Sequence, residues 1–276
     1  MWKQNLEKEN FSPEEMGWNL DVVVLKKTGY SWLKTFILAI LAGIFISFGA
    51  MFSTVVGSGL SNNFYGLSRL LVGLSFSLGL ILVILSGAEL FTGSTIVSVG
   101  LVNKKIKLPK LVNNWLLVYL GNFIGSFFVA LLVFWGKQYM CGNGLVGINA
   151  LNIAMSKLHH TFGESIALGI LCNMLVCLAI WLTYSTKSIS GKILALIFPV
   201  TAFVAAGFEH SVANMYFVPI ALLIKNFDLN FAEMVDMSGL TWSHFLVNNL
   251  LPVTIGNIIG GVFVWLTLNF LYKKHA

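Results

Sequence analysis

The feature that most limits this chain is a succession of long apolar runs. The stretch ILALIFPVTAFVAAGF begins at Ile193 and carries no charge. Crossing a bilayer as a helix takes about 20 mostly apolar residues. Six segments qualify, at roughly 33–57, 70–100, 112–136, 161–184, 191–224 and 246–272. Short polar links join them, so the chain reads as one integral membrane domain over 31–276 after a cytoplasmic segment, 1–30. Only 10% of the residues are charged, against about 25% in soluble domains. No apolar stretch follows a short basic start, so no cleavable signal peptide is expected. Lys3, Glu7, Lys8, Glu9, Glu14, Glu15 and Asp21 make the start polar, and PEEMGWNLDVVVLKK reads equally as a surface-lying amphipathic helix or a solvated lead-in.

Basic residues favour cytoplasmic loops. With six crossings and an inside N-terminus, the inner face holds Lys3, Lys8, Lys26, Lys27, Lys34, Lys104, Lys105, Lys107, Lys110, Lys187, Lys192, Lys273 and Lys274. The outer face holds only Arg69, Lys137, Lys157 and Lys225. Both termini are therefore placed in the cytoplasm. The net charge of +6 follows from this bias and calls for no nucleic-acid partner.

The chain also repeats. LVNN occurs at 111–114 and at 246–249, and a shift of 135 sets Gly121-Asn122 on Gly256-Asn257, Ile124-Gly125 on Ile259-Gly260 and Phe128-Val129 on Phe263-Val264. Earlier, a shift of 120 sets Gly43 on Gly163, Gly49 on Gly169, Gly87 on Gly207 and Glu89 on Glu209. Three spans per repeat force the second copy to run inverted, as in transporters with a pathway at the repeat interface. A straight helix over 70–102 would be about 50 Å long, against about 30 Å of hydrocarbon. Breaks near Gly87 and Gly207 are expected, where irregular backbone would line a cavity and the following half-helix would offer N–H groups to anions.

A charge inside a span costs at least roughly 2.5–3.5 kcal/mol, so Glu89, Glu209 and His210 stand out. The matched glutamates read first as structural, holding a broken helix or pairing with a lysine. His210 has no twin, since Leu90 takes its place, and it exchanges protons near neutral pH when unperturbed. Thr92 is either a simple cap or a hydroxyl that meets His210. Lys157, beside His159 and His160, is either a basic entrance or part of a solvated loop. Cys141, Cys172 and Cys177 have no metal-ligand spacing and are given no role. An enzyme built on Glu209 and His210 would have only Thr92, Cys172 and Cys177 to complete it, so no enzymatic activity, metal or cofactor is expected.

The strings KLHHTFGESIALGILCNMLVCLAIWLTYS, GFEHSVANM and NNLLPVTIGNIIGG resemble the formate/nitrite transporter family over nearly the whole chain. SFSLGLIL and LPVTIGNIIGG look most like its bacterial formate channels, while ELFTG also resembles the nitrite and hydrosulfide branches. The resemblance implies an aquaporin-like, all-α protomer with helices 2 and 5 broken, assembled as a homopentamer in the lipid bilayer of the cytoplasmic membrane, each protomer with its own pore. It implies a central His210 hydrogen-bonded to Thr92, with Asn173 near the pore centre. Two hydrophobic constrictions would draw on Phe76, Leu80, Leu90, Phe91, Val176 and Phe203. Lys157 would stand in the outer vestibule near Asn214, and Lys27 would pair with Glu209 from the cytoplasmic side. The implied cargo is formate, with nitrite, hydrosulfide or lactate as alternatives, passing as anion or with a proton.

Overall fold

The structure is a computed structural model that describes residues 9–60, 64–228, 231 and 235–273. Lys3, Glu7, Lys8 and Lys274 lie outside the described residues. The described part is helical, and its only strand-like pairing is an isolated bridge between Asn10 and Thr186.

The described part of the polar start, from residue 9, is neither one helix nor a solvated strip. Pro13 and a Ser12–Glu15 capping box open α1 (Pro13–Trp18), and Asn19 separates it from α2 (Leu20–Thr28). Met16, Leu20 and Val24 are buried, and Gly17 lies against Tyr272 at the far end of the chain. Hydrogen bonds from the Phe11 amide to Ser185 O and from the Lys187 amide to Glu9 O tie the segment down. It is therefore part of the packed body.

Ser31 caps α3 (Trp32–Gly57), which is followed by α4 (Tyr65–Ser86), α5 (Phe91–Ser94), α6 (Val97–Val102) and α7 (Leu108–Trp135). The second half holds α8 (Leu145–Leu158), α9 (Phe162–Thr183), α10 (Ile189–Ala205), α11 (Ser211–Phe227), α12 (Trp242–His244) and α13 (Leu251–Tyr272). A π-helical stretch, Phe245–Leu250, makes α12 and α13 continuous. Five helices are long and apolar enough to cross a membrane, rather than the six runs counted in the sequence. The run at 191–224 is divided between α10 and α11, each too short alone. Glu164 serves as an N-terminal cap of α9, accepting the Thr161 amide at 2.8 Å.

The two halves make matched contacts, but not in the register read from the letters. Gly43 packs on the Asn122 carbonyl, while Gly163 faces open space, so the shift of 120 fails for the first span. The caps Ser31 and Thr161 show that α3 and α9 are 130 residues apart, and their exposure profiles agree almost residue for residue. The shift of 120 holds at the breaks and 135 holds for α7 and α13, as Asn122 and Asn257 demonstrate below. The connections absorb the differences. The helices α3 and α9 pack on α7 and α13 through glycines: an added methyl on Gly125 or Gly260 would strike the carbonyl of Ile40 or Ile170.

Candidate permeation site at two helix breaks

Both breaks fall where the long runs predicted them. Gly87 and Gly207 have φ of 74° and 77°, left-handed values that favour glycine because a side chain there meets the backbone. After each glycine the chain turns inward and exposes amides that water cannot reach. An asparagine from the next long helix satisfies them. Asn122 Oδ1 accepts the Phe91 amide at 2.8 Å, and its Nδ2 donates to Ala39 O and Glu89 O. Asn257 Oδ1 accepts the Ser211 amide at 2.9 Å, and its Nδ2 donates to Gly169 O and Glu209 O. Sequence reasoning missed both roles, although the repeated Gly-Asn pair was the signal.

The glutamates close the same motif. Lys27 Nζ stands 2.7 Å from Glu89 Oε2, and Ser94 Oγ donates to the same oxygen. Lys157 Nζ stands 2.9 Å from Glu209 Oε1, while Asn214 Nδ2 donates to Oε2 at 2.6 Å. The expected pairing of Lys27 with Glu209 is thus corrected. Lys27 and Lys157 hold equivalent places 130 residues apart, and each serves the break of its own half. Asn249, from the π-helical stretch, adds hydrogen bonds to Glu209 Oε2 and to Lys157 O. It closes the second LVNN string, and its role was not foreseen.

Thr92 and His210 meet between the breaks, with Oγ1 3.1 Å from Nε2. The other ring nitrogen settles the tautomer: the Ala213 amide donates to Nδ1 at 3.1 Å, so Nδ1 carries a lone pair and His210 caps α11. Nε2 then bears the proton and donates to Thr92. The amides at the start of α11 are largely occupied, since Ser211 and Ala213 give theirs to Asn257 and His210. They are not the open anion cradle that a half-helix suggested. Asn173 donates to Thr92 O and Asn257 O, which joins the two breaks.

Phe203 stacks on the His210 ring at 5.9 Å and meets Phe76 edge-on at 5.8 Å. Leu80 and Leu90 line a cavity of about 330 Å³ with Glu89, Lys27 and Ile180. Val176 is buried one helical turn before Ile180. The Phe91 ring meets Tyr119 and Trp115 edge-on and lines an apolar groove between α7 and α13.

Long apolar helices, two helix breaks and buried ion pairs mark a multi-pass membrane protein. The chain matches the family model "Formate/nitrite transporter" over residues 15–271. It is 44% identical over 249 residues to the formate channel FocA of Escherichia coli (strain K12), covering 88% of this chain and 87% of that one. It is 36% identical over 270 residues to the formate channel BtFdhC of Bacillus thuringiensis, covering 95% and 96%. A solved pentameric formate channel with formate bound superposes with a TM-score of 0.81 at 44% identity, over 88% of this chain and 98% of that one. A solved FNT family ion channel gives 0.78 at 29% identity, over 95% and 98%. The protein belongs to the formate/nitrite transporter family.

Proposed function

We propose that this protein is a formate channel of the cytoplasmic membrane, a homopentamer with one pore per protomer. The observation that carries the reading is the buried Thr92–His210 contact, with Phe203 stacked on the imidazole ring. The relatives named above, described as formate channels and in one case as pentameric, support the cargo and the assembly. The matched asparagine and lysine–glutamate contacts support six crossings in two inverted repeats, with each split helix counted as one crossing. The basic residues favour cytoplasmic termini, with 1–30 as a cytoplasmic segment before the membrane domain.

In this reading Phe76 with Phe203, and Leu80 with Leu90, Phe91 and Val176, form the constrictions. A bare carboxylate loses its hydration there at high cost. Formate takes the Nε2–H of His210 in place of the Thr92 oxygen, and the Thr92 hydroxyl turns to donate to it. An imidazolium would need a proton on Nδ1 and would displace the Ala213 amide. His210 therefore supplies a fixed hydrogen bond, and a proton that neutralises formate is taken from the bulk solution as hydronium, leaving only water behind.

Uptake into proteoliposomes tests this, with formate, nitrite and hydrosulfide compared at several pH values. Formate is expected to be fastest. Losing a buried hydrogen bond worth about 1–3 kcal/mol should slow His210→Ala by roughly 5- to 150-fold, and His210→Gln should keep part of the rate. Faster nitrite or hydrosulfide flux would replace the cargo. A His210→Ala rate equal to wild type would remove the histidine from the pathway.

A further inference from the structure

The two lysines closest to the breaks carry no spare charge. Lys157 is matched by Glu209 at 2.9 Å and Lys27 by Glu89 at 2.7 Å. From a few ångströms away each pair is a dipole, whose pull on an anion fades faster than that of a single charge. If a pore mouth lies beside Gly207, attraction there must come from another cation, and the Arg69 guanidinium lies there.

Arg69 is the only arginine of the chain. Its Nε donates to Ala205 O at 2.9 Å and its Nη2 to Val204 O at 2.6 Å. These are the last carbonyls of α10, the negative end of that half-helix, where a cation is favoured. Nη2 also lies 3.6 Å from where a Gly207 side chain would begin. A guanidinium has five N–H donors, so three remain without a protein acceptor among the described residues. No carboxylate pairs with it there. Arg69 lines a cavity of about 390 Å³ whose polar wall includes Ser53, Ser68, Tyr65, Asn149 and Asn152 and which has no acidic residue among the described residues. Val204, whose carbonyl Arg69 holds, follows Phe203 directly in the chain.

We propose that Arg69 is the anion-recruiting group of this mouth, holding a small monovalent oxyanion against its open edge before the anion passes Phe203 toward His210. The inference rests on the transport reading and adds a residue and a step to it. The helix-end carbonyls fix the guanidinium in place without cancelling its charge.

The alternative is that Arg69 only caps α10, and three variants separate the two. Arg69→Gln removes the charge, Arg69→Lys keeps it without the two-point cap, and Asn152→Asp leaves the cap and puts a counter-charge into the cavity. Flux is measured against anion concentration in proteoliposomes, at low and high salt, using whichever of formate, nitrite or hydrosulfide the wild type passes fastest. Recruitment predicts a half-saturating concentration raised about 5- to 10-fold in Arg69→Gln and in Asn152→Asp, near wild type in Arg69→Lys, with little change in maximal flux. The wild-type advantage should shrink at high salt as the charge is screened. Asn152→Asp matching wild type while Arg69→Lys fails like Arg69→Gln would make Arg69 a cap alone. A wild type that passes nitrite but not formate would end the cargo assignment and leave this comparison intact. A wild type that passes none of the three would end both.

Discussion

At the residue scale, buried charge is tolerated because each charged group is answered. Glu209 is almost fully buried, and its carboxylate receives Lys157, Asn214 and Asn249. Removing one partner of such a pair costs about 3–5 kcal/mol, because the other charge is stranded, whereas replacing both costs much less. Glu209→Gln should therefore lower the melting temperature in detergent more than the double variant Lys157→Met, Glu209→Gln. Equal loss in the two would mean the pair is not the source. Much of this was legible in advance. Glu209 and His210 declared themselves by being polar within an apolar run, and Thr92 by its place after the first break. The partner choice of Lys27 was not legible, because it depends on which helix end each lysine reaches. Arg69 appeared in the sequence only as one more outer cation, and its meaning came from two carbonyls 135 and 136 residues away.

At the scale of the element, glycine does two different jobs. Gly207 sits at a left-handed φ with room around it, so Gly207→Ala should cost only backbone strain, about 1–2 kcal/mol. Gly260 is an ordinary helical residue with Ile170 O only 2.2 Å from where a Cβ would stand. Gly260→Ala must push α13 away from α9, so thermal melts should show a larger loss than for Gly207→Ala. The reverse order would mean the helix contact yields easily. The sequence exposed the breaks, because an uncharged run too long for one straight crossing must bend. It did not expose the register of α3 against α9. Glycines recur often enough in such helices to align by chance, and only their neighbours tell a packed glycine from an open one.

At the scale of the whole molecule, the transmembrane orientation is the broadest expectation. Cys141 is exposed, and Cys172 and Cys177 are buried. With both termini in the cytoplasm, the connection that carries Cys141 faces outward. A membrane-impermeant maleimide should label intact cells at Cys141 alone, with the signal lost in Cys141→Ser. Labelling only after permeabilisation would reverse the orientation. The doubled architecture also carries a history. Lysine, glutamate, asparagine and left-handed glycine occur twice, at places that correspond. His210 and Arg69 occur once, opposite Leu90 and Ile189 under the shift of 120 that relates the breaks. A gene that arose by copying one half would have inherited the scaffold in duplicate. The solitary residues mark where the two halves differ, so the chemistry of the passage lies in what the repeat does not copy.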